Sequence, residues 1–185
     1  MPRLNVISPA QTTGPAKQIY DDLTKKMGKV VNIFQGMANS PAALRAYLSM
    51  SDALAEGDLS PEDREALYLA VSESNGCHYC VSAHSMVAKS IGVSEDETLA
   101  ARGFGSSNEK RAALLDFVRK VIATKGFVED QDIEAVRQAG YSDGQIAESI
   151  GYIGLATFSN LFNHVHDTTV DFPPAQKLND SQDSI

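Results

Sequence analysis

Residues 60–92 read SPEDREALYLAVSESNGCHYCVSAHSMVAKSIG, and this stretch predicts two consecutive helices. Ser60 is a favoured N-cap residue, Pro61 suits the first helical position, and the acids that follow favour the positive end of the helix dipole. The pair Asn75-Gly76 then predicts a turn, and a second helix is expected over Cys77–Ser90. The stretch therefore predicts two helices that are neighbours in space.

Similar helix signals recur along the rest of the chain, and strand signals are nearly absent. The one β-branched cluster, Val30 to Phe34, is short. We therefore predict an all-α fold, a compact helical bundle of about eight helices that forms a single domain over residues 1–185, with an extended C-terminal tail at 170–185. Besides the two helices above, the predicted helices are Pro15–Met27, Pro41–Glu56, a short one from Ser94, Asn108–Lys125, Glu129–Ala139 and Ser142–His166.

The composition indicates an acidic globular protein. Its 185 residues include 16 Lys and Arg against 24 Asp and Glu, a net charge of −8, and 43% of the residues are hydrophobic. That hydrophobic content argues against a disordered chain. The acidity, with a pI of about 4.9, argues against nucleic acid and anionic membrane surfaces as partners. We expect a cytoplasmic protein, because the sequence shows neither the apolar core of a signal peptide nor an apolar run of about 18 residues for a membrane span.

The two cysteines stand three residues apart, as Cys77 and Cys80, and this spacing puts them on one side of a helix with His84. At 100° per residue the three side chains fall within an arc of about 60°, and this arc is also the apolar face of the helix. We therefore expect the thiols to point into the protein beside the imidazole. The same geometry puts Ser82 and Ser85 on the opposite, polar side.

His78 and Tyr79 also face away from this arc, so we assign them no direct chemical role.

A buried thiol pair beside a histidine suits redox catalysis. The thiolate is the nucleophile, and it needs a base or a positive field to form at neutral pH. The start of a helix provides such a field, and His84, one turn beyond Cys80, can take its proton. A sulfenic acid formed on one cysteine can then be resolved by the other as a disulfide.

Two other interpretations of the pair, structural and metal-binding, are weaker. A buried cysteine pair can be merely structural. Zinc could use Cys77, Cys80 and His84, with His164, His166 or water as the fourth ligand, but no second cysteine pair completes the usual zinc knuckle.

Further features argue against a bound metal or cofactor. His164 and His166 lie about 200° apart on a helix and are not expected to share a metal. Haem attachment by a Cys-x-x-Cys-His motif is excluded because Val81 occupies the histidine position. We expect no cofactor and no metal.

Polar residues on two other predicted helices are also candidates. Glu65 precedes an apolar stretch and shares its stripe with Tyr68, so we expect a partly desolvated carboxylate suited to proton transfer. Pairing with Arg64 at the helix start is the simpler alternative for this acid. Asn160 and Asn163 share one face of the last helix and predict a buried polar link to a neighbouring helix, which the sequence does not identify.

Residues 64–84, REALYLAVSESNGCHYCVSAH, resemble the core of the alkylhydroperoxidase D / carboxymuconolactone decarboxylase superfamily. That pattern has a Glu twelve residues before a Cys-x-x-Cys and a His four residues after the second Cys. All four positions match. Outside the motif, Asn163-His164 and Asp171-Phe172-Pro173 resemble the peroxidase-related branch. The matching positions are Glu65, Cys77, Cys80 and His84.

The resemblance implies a thiol-dependent peroxidase with a Glu–Cys–Cys–His proton relay. In that scheme Cys80 attacks the peroxide, Cys77 resolves the sulfenic acid, and Glu65 and His84 move protons. It also implies an all-α bundle assembled as a homo-oligomer, a substrate that is either hydrogen peroxide or an organic hydroperoxide, and a dithiol or thioredoxin-like reductant. The family's best-known peroxidases carry a His just before the second Cys, where this chain has Tyr79.

Two alternative functions stay open at this stage. The first is a carboxymuconolactone-decarboxylase-like lyase, although that branch of the superfamily does not need a cysteine pair. The second is a redox-responsive binding protein in which the disulfide changes shape or assembly. Steady turnover of peroxide with a dithiol distinguishes the peroxidase from the binding protein.

Overall fold

The structure is a computed structural model that describes residues 1–178 of the chain. Residues 179–185, the end of the predicted tail, lie outside the described residues. Over residues 1–178 all regular secondary structure is helical, with nine α-helices and a short 3-10 helix at Pro9–Gln11, which confirms the all-α class. The helices are α1 (Gly14–Met27), α2 (Asn32–Met37), α3 (Pro41–Ala55), α4 (Pro61–Ser74), α5 (His78–Ser90), α6 (Glu95–Arg102), α7 (Glu109–Thr124), α8 (Asp130–Gln138) and α9 (Asp143–His166).

Side-chain caps fix the starts of five of these helices. In each case the side-chain oxygen of the N-cap residue accepts a hydrogen bond from the backbone N–H three residues on, which satisfies one of the free donors of the first turn. These starts agree with the sequence predictions. The capping residues are Ser40, Ser60, Ser94, Asn108 and Ser142.

Helix α4 lies at the centre of the bundle. It packs most extensively against α5, α9 and α6, and residues 66–72 are all buried. A helix that is apolar around its whole circumference has to be enclosed in this way. The consequence for function is that the cysteines at the start of α5 lie next to the buried centre of the protein.

Helix α2 is the one α-helix of the described chain that the sequence analysis did not predict, since the Val30 to Phe34 segment showed only a short β-branched cluster. The helix forms because tertiary contacts support it. Asp171 accepts a hydrogen bond from the Asn32 backbone N–H at 3.2 Å. At Gly36 the helix packs so closely on α9 that a Cβ atom there would lie 2.6 Å from the ring of His166. These contacts come from the far end of the chain.

The described part of the C-terminal tail, residues 170–178, has no regular secondary structure and lies against the same chain. Tyr79 donates its hydroxyl proton to Asp171 at 2.8 Å, and the Phe172 ring meets the Tyr79 ring edge-to-face. Arg102 holds the backbone carbonyl of Gln176. Among the described residues, no helix has the length and apolar character needed to cross a membrane.

Candidate functional site

The two cysteines lie together at the beginning of α5. Gly76, with a φ of 68°, makes the sharp turn out of α4, and the Cys77 backbone N–H then bonds to the carbonyl of Ser72 at 2.8 Å. Cys77 is the N-cap residue of α5. Both thiols are free and buried, and their sulfur atoms are 2.8 Å apart. A disulfide bond is about 2.05 Å long, so the sulfurs are already within reach of each other.

The hydrogen bonds around the sulfurs make the two cysteines unequal. The Cys77 thiol donates to the Cys80 sulfur and lowers the pKa of Cys80 from 9.0 to about 7, although burial works in the opposite direction. The pKa of Cys77 is raised, because its thiol gives that hydrogen bond and is itself buried. The hydrogen-bond arrangement therefore favours the thiolate on Cys80 over the thiolate on Cys77.

His84 and Glu65 form a hydrogen-bonded pair beside the cysteines. Nδ1 of His84 lies 2.8 Å from Oε2 of Glu65, and both side chains are largely buried, at 18% and 13% exposure. The Tyr68 ring stacks on the imidazole with a centroid distance of 3.9 Å. Glu65 thus pairs across two helices with His84, not with its neighbour Arg64. The ring of His84 is fixed in both position and plane.

A cavity of about 330 Å³ connects these two groups. Cys80 and His84 both line it, whereas Cys77 is not among the lining residues. A small molecule in this cavity would therefore contact Cys80 and His84 together, and it would not contact Cys77. The rest of the wall is mostly apolar and includes Val31, Ile33, Phe34, Tyr47, Val87 and Phe172.

Helix α5 is buried on more sides than its sequence indicated. Tyr79, which was predicted to face away, is 5% exposed and lines the cavity. Its hydroxyl accepts a hydrogen bond from the Ile33 backbone N–H at 3.2 Å. Ser82 and Ser85, predicted to lie on the polar side, are also buried, because α5 packs against α4, α6 and α9. His78 is exposed, as predicted.

Helix α9 supplies polar contacts that the sequence could not assign. Asn163 donates its side-chain N–H to the Cys80 sulfur at 3.1 Å. The Cys80 thiol in turn donates to the Ser159 hydroxyl at 3.8 Å. Asn160 donates to the Ser72 hydroxyl at 3.1 Å and accepts from Asn75 at 2.9 Å, so it ties α9 to the end of α4.

The spacing of the asparagines indicated a buried polar link, but their partners depend on how α9 lies across the bundle.

The histidines at the end of α9 have separate surroundings. His166 is 1% exposed, and its Nδ1 accepts a hydrogen bond from the Leu4 backbone N–H at 3.3 Å. His164 is exposed. Within residues 1–178, no three His, Cys, Asp or Glu side chains are grouped in a way that would hold a metal ion. His166 therefore anchors the N-terminal segment of the chain.

Comparisons with known proteins show similarity in sequence and in fold. The sequence profile of the carboxymuconolactone decarboxylase family matches residues 41–119, which contain both cysteines and their Glu–His pair. The crystal structure of an alkylhydroperoxidase AhpD core, an uncharacterized peroxidase-related protein from Ralstonia eutropha, is 27% identical and covers 98% of this chain and 94% of its own, with a TM-score of 0.75.

The profile match over residues 41–119, the alkylhydroperoxidase AhpD core structure and an alkyl hydroperoxide reductase relative together support the alkylhydroperoxidase D / carboxymuconolactone decarboxylase superfamily.

Two further proteins are similar to this chain, one in sequence and one in fold. The alkyl hydroperoxide reductase AhpD of Solibacter usitatus is 36% identical over 99 residues, which are 52% of this chain. The match spans about half of that relative's length, 55%. A debrominase structure shares the fold, with a TM-score of 0.73 at 20% identity, and covers 90% of this chain and 92% of its own. Members of the superfamily fold thus differ in the chemistry that their names state.

Proposed function

We propose that this protein is a thiol-dependent peroxidase that reduces organic hydroperoxides at Cys80. The observation that carries the proposal is the shared cavity: Cys80, with its pKa lowered to about 7, and His84 line the same apolar space. The sulfur of Cys77 is 2.8 Å from that of Cys80, so Cys77 can resolve a sulfenic acid formed on Cys80. The alkyl hydroperoxide reductase relative supports the same chemistry.

The first step oxidises Cys80. The thiolate attacks the terminal oxygen of the hydroperoxide, the O–O bond breaks, and a sulfenic acid and an alkoxide form. The proton released by Cys80 is held by the His84–Glu65 pair and returned to the alkoxide, which leaves as an alcohol. Since Glu65 engages Nδ1, the other ring nitrogen, Nε2, is the one that exchanges this proton.

The second step forms the disulfide. Cys77 loses its proton, its sulfur attacks the sulfur of Cys80, and the hydroxyl group leaves as water. A dithiol or thioredoxin-like reductant then returns both cysteines to thiols and is itself oxidised to a disulfide. We place the cycle in the cytoplasm, where thiols are kept reduced. It needs no metal or cofactor.

The cavity favours an organic hydroperoxide over hydrogen peroxide. Burial of an apolar substrate tail against side chains such as Val31, Phe34 and Phe172 contributes binding free energy in proportion to its apolar area. Hydrogen peroxide has no such tail and gains nothing from this wall. The substrate class that fits is a compact hydroperoxide with an aromatic or branched hydrocarbon group.

Narrowing the cavity should separate the two kinds of peroxide. Ala83 lines the cavity beside His84, so Ala83→Phe fills space that an organic tail would occupy. We expect consumption of cumene hydroperoxide to fall at least ~10-fold, with little change for hydrogen peroxide. Ser90→Phe adds the same ring at the exposed end of α5 and is the control. Equal losses for both peroxides would argue against a substrate cavity.

The test of the function is turnover. Reduced protein, dithiothreitol and cumene hydroperoxide should give continuous production of the alcohol, well beyond one equivalent per chain. A redox-responsive binding protein would instead react once and stop. A lyase of the carboxymuconolactone type would leave the hydroperoxide untouched. Either of these last two results would reject the peroxidase.

We also propose that the protein associates with copies of itself. Helix α9 exposes an apolar stripe of Phe158, Leu161 and Val165, with the last two 57% and 60% exposed, and such stripes on soluble proteins mark interaction surfaces. Light scattering at micromolar concentration should show an oligomer that the paired changes Leu161→Glu and Val165→Glu dissociate. Phe127→Glu, at a separate exposed site, should not. A monomeric wild-type protein would contradict the proposal.

A further inference from the structure

Asn163 reaches the cysteines from a different helix. It lies on α9, whereas both cysteines belong to the start of α5, and the residue is 5% exposed. The amide nitrogen is 3.1 Å from the sulfur of Cys80 and 3.8 Å from that of Cys77. The donor therefore serves Cys80 much better than Cys77.

The carbonyl half of the Asn163 amide has no hydrogen-bond partner among the described residues. The side-chain carbonyl oxygen of Asn163 is buried and accepts no hydrogen bond from the described residues. An orphaned buried acceptor costs about 1–3 kcal/mol of stability, so a hydrocarbon side chain would suit the fold better at this position. The Asn163 amide therefore interacts only through its N–H group, which points at the sulfur of Cys80.

The N–H group of Asn163 is also the half of the amide that suits a negatively charged sulfur on Cys80. With the amide turned around, the carbonyl oxygen would face the sulfur of Cys80 and repel a thiolate. The groups that interact with this sulfur, namely Cys77, Ser159, Asn160 and Asn163, are all uncharged. Hydrogen bonds to a charged group are about twice as strong as those between neutral groups.

The other charged and titratable groups near Cys80 are paired with other side chains or stay neutral. His84 is engaged by Glu65. Lys29, at the rim of the cavity, is paired with Asp171 at 3.7 Å. The pKa values of Tyr47 and Tyr79, which also line the cavity, are raised by burial, so both hydroxyls stay neutral. Cys77 is the remaining titratable neighbour of Cys80, and it is the cysteine that stays protonated.

We propose that Asn163 is a catalytic residue whose amide N–H holds the negative charge on the sulfur of Cys80 and thereby selects Cys80 over Cys77 as the attacking cysteine. This assignment builds on the proposed peroxidase function. A neutral donor suits the role because it does not titrate, and so it acts at every pH at which Cys80 is ionised. The pKa of Cys80 is lowered by hydrogen bonds from Cys77, Asn160 and Asn163, in that order, and Asn163 is the side chain whose N–H lies 3.1 Å from the sulfur.

The test is the pH dependence of iodoacetamide alkylation, with the modified cysteine identified by mass spectrometry. In the wild type, Cys80 should be alkylated first, with a midpoint near pH 7. Asn163→Leu removes the donor and also the orphaned oxygen. We expect the midpoint to rise by about one to two pH units. The rate at pH 7 should fall several-fold, while the plateau at high pH equals or exceeds that of the wild type, because a more basic thiolate is a better nucleophile.

Stability gives the second readout. A merely structural role for Asn163 predicts a lower melting temperature in Asn163→Leu and an unchanged alkylation midpoint. The catalytic role predicts an unchanged or higher melting temperature together with the raised midpoint. Ser149→Ala, at another buried position of α9, is the control and should leave the midpoint near pH 7. If Asn163→Leu fails to fold, the isosteric Asn163→Asp takes its place, and its carboxylate should raise the midpoint further.

Failure of this assignment is distinguishable from failure of the proposed function. Alkylation needs no hydroperoxide, so a raised midpoint in a protein that does not turn over peroxide supports Asn163 and rejects the peroxidase. Normal turnover with an unchanged midpoint in the variant rejects the assignment of Asn163. Preferential alkylation of Cys77 in the wild type would also overturn it.

Discussion

Cys80→Ser should abolish the reaction with hydroperoxide altogether, whereas Cys77→Ser should react once and stop. Serine stays protonated at neutral pH and is a weak nucleophile, so the first variant loses the attacking group. The second variant keeps Cys80 in the cavity beside His84 but has no thiol to resolve the product. It should therefore accumulate a sulfenic acid on Cys80.

Each cysteine variant is the control for the other, because the two sulfurs are only 2.8 Å apart and both are buried. The sulfenic acid is trapped with dimedone and located by mass spectrometry. An adduct on Cys77 in the Cys80→Ser variant, with none on Cys80 in the reverse variant, would invert the roles. Peroxide consumption equal to the wild type in both variants would reject the enzyme itself.

Glu65→Gln should slow the reaction by about 10²–10⁴-fold, the usual contribution of general acid–base catalysis. The glutamine amide is close in size and can still bond to Nδ1 of His84, 2.8 Å from the present carboxylate oxygen. It cannot stabilise an imidazolium or accept its proton. The disulfide should still form with excess peroxide, because no sulfur has been removed.

Glu62→Gln is the matched control, since it removes a carboxylate from the preceding turn of the same helix, α4. Its rate should stay close to that of the wild type. Stopped-flow measurement of the first turnover separates this step from disulfide formation and reduction. A Glu65→Gln rate equal to that of the control would mean that Glu65 only orients His84.

The helices that begin with their own capping residues were predictable from the sequence. Ser60-Pro61 and Ser142 cap the helices that they were expected to start, because capping is a local interaction between residues three apart. Helix α2 was not predictable in this way. Its support comes from Asp171 and from the contact between Gly36 and His166, which depend on the path of the whole chain.

The candidate site likewise contains residues that one helix places and residues that only the packing of several helices places. Cys77, Cys80 and His84 belong to one helix, so their spacing alone indicated that they lie together. Glu65 is on the preceding helix, and the resemblance to a family was needed to pair it with His84. Asn163 had only a general polar signal, because its partner is set by the packing of α9 on α5.

The burial of Tyr79 was missed because a helical wheel considers one helix at a time. At 200° from Cys77 the side chain was expected to face away from the chemistry. In the folded chain, the segment around Asp171 and Phe172 covers that side of α5 and turns it into a wall of the cavity. A third element thus supplies the surroundings of a residue that neither α5 nor α4 would bury.

The most direct test of the central claim is a count of thiols against product in a single turnover. Reduced, metal-analysed protein is mixed with one equivalent of cumene hydroperoxide per chain, without any reductant. The account predicts one equivalent of alcohol, the loss of both thiols of the chain, and a disulfide between Cys77 and Cys80 that a dithiol reverses. Unreacted thiols with the hydroperoxide intact, or one tightly bound zinc ion per chain in protein purified without chelator, would contradict it.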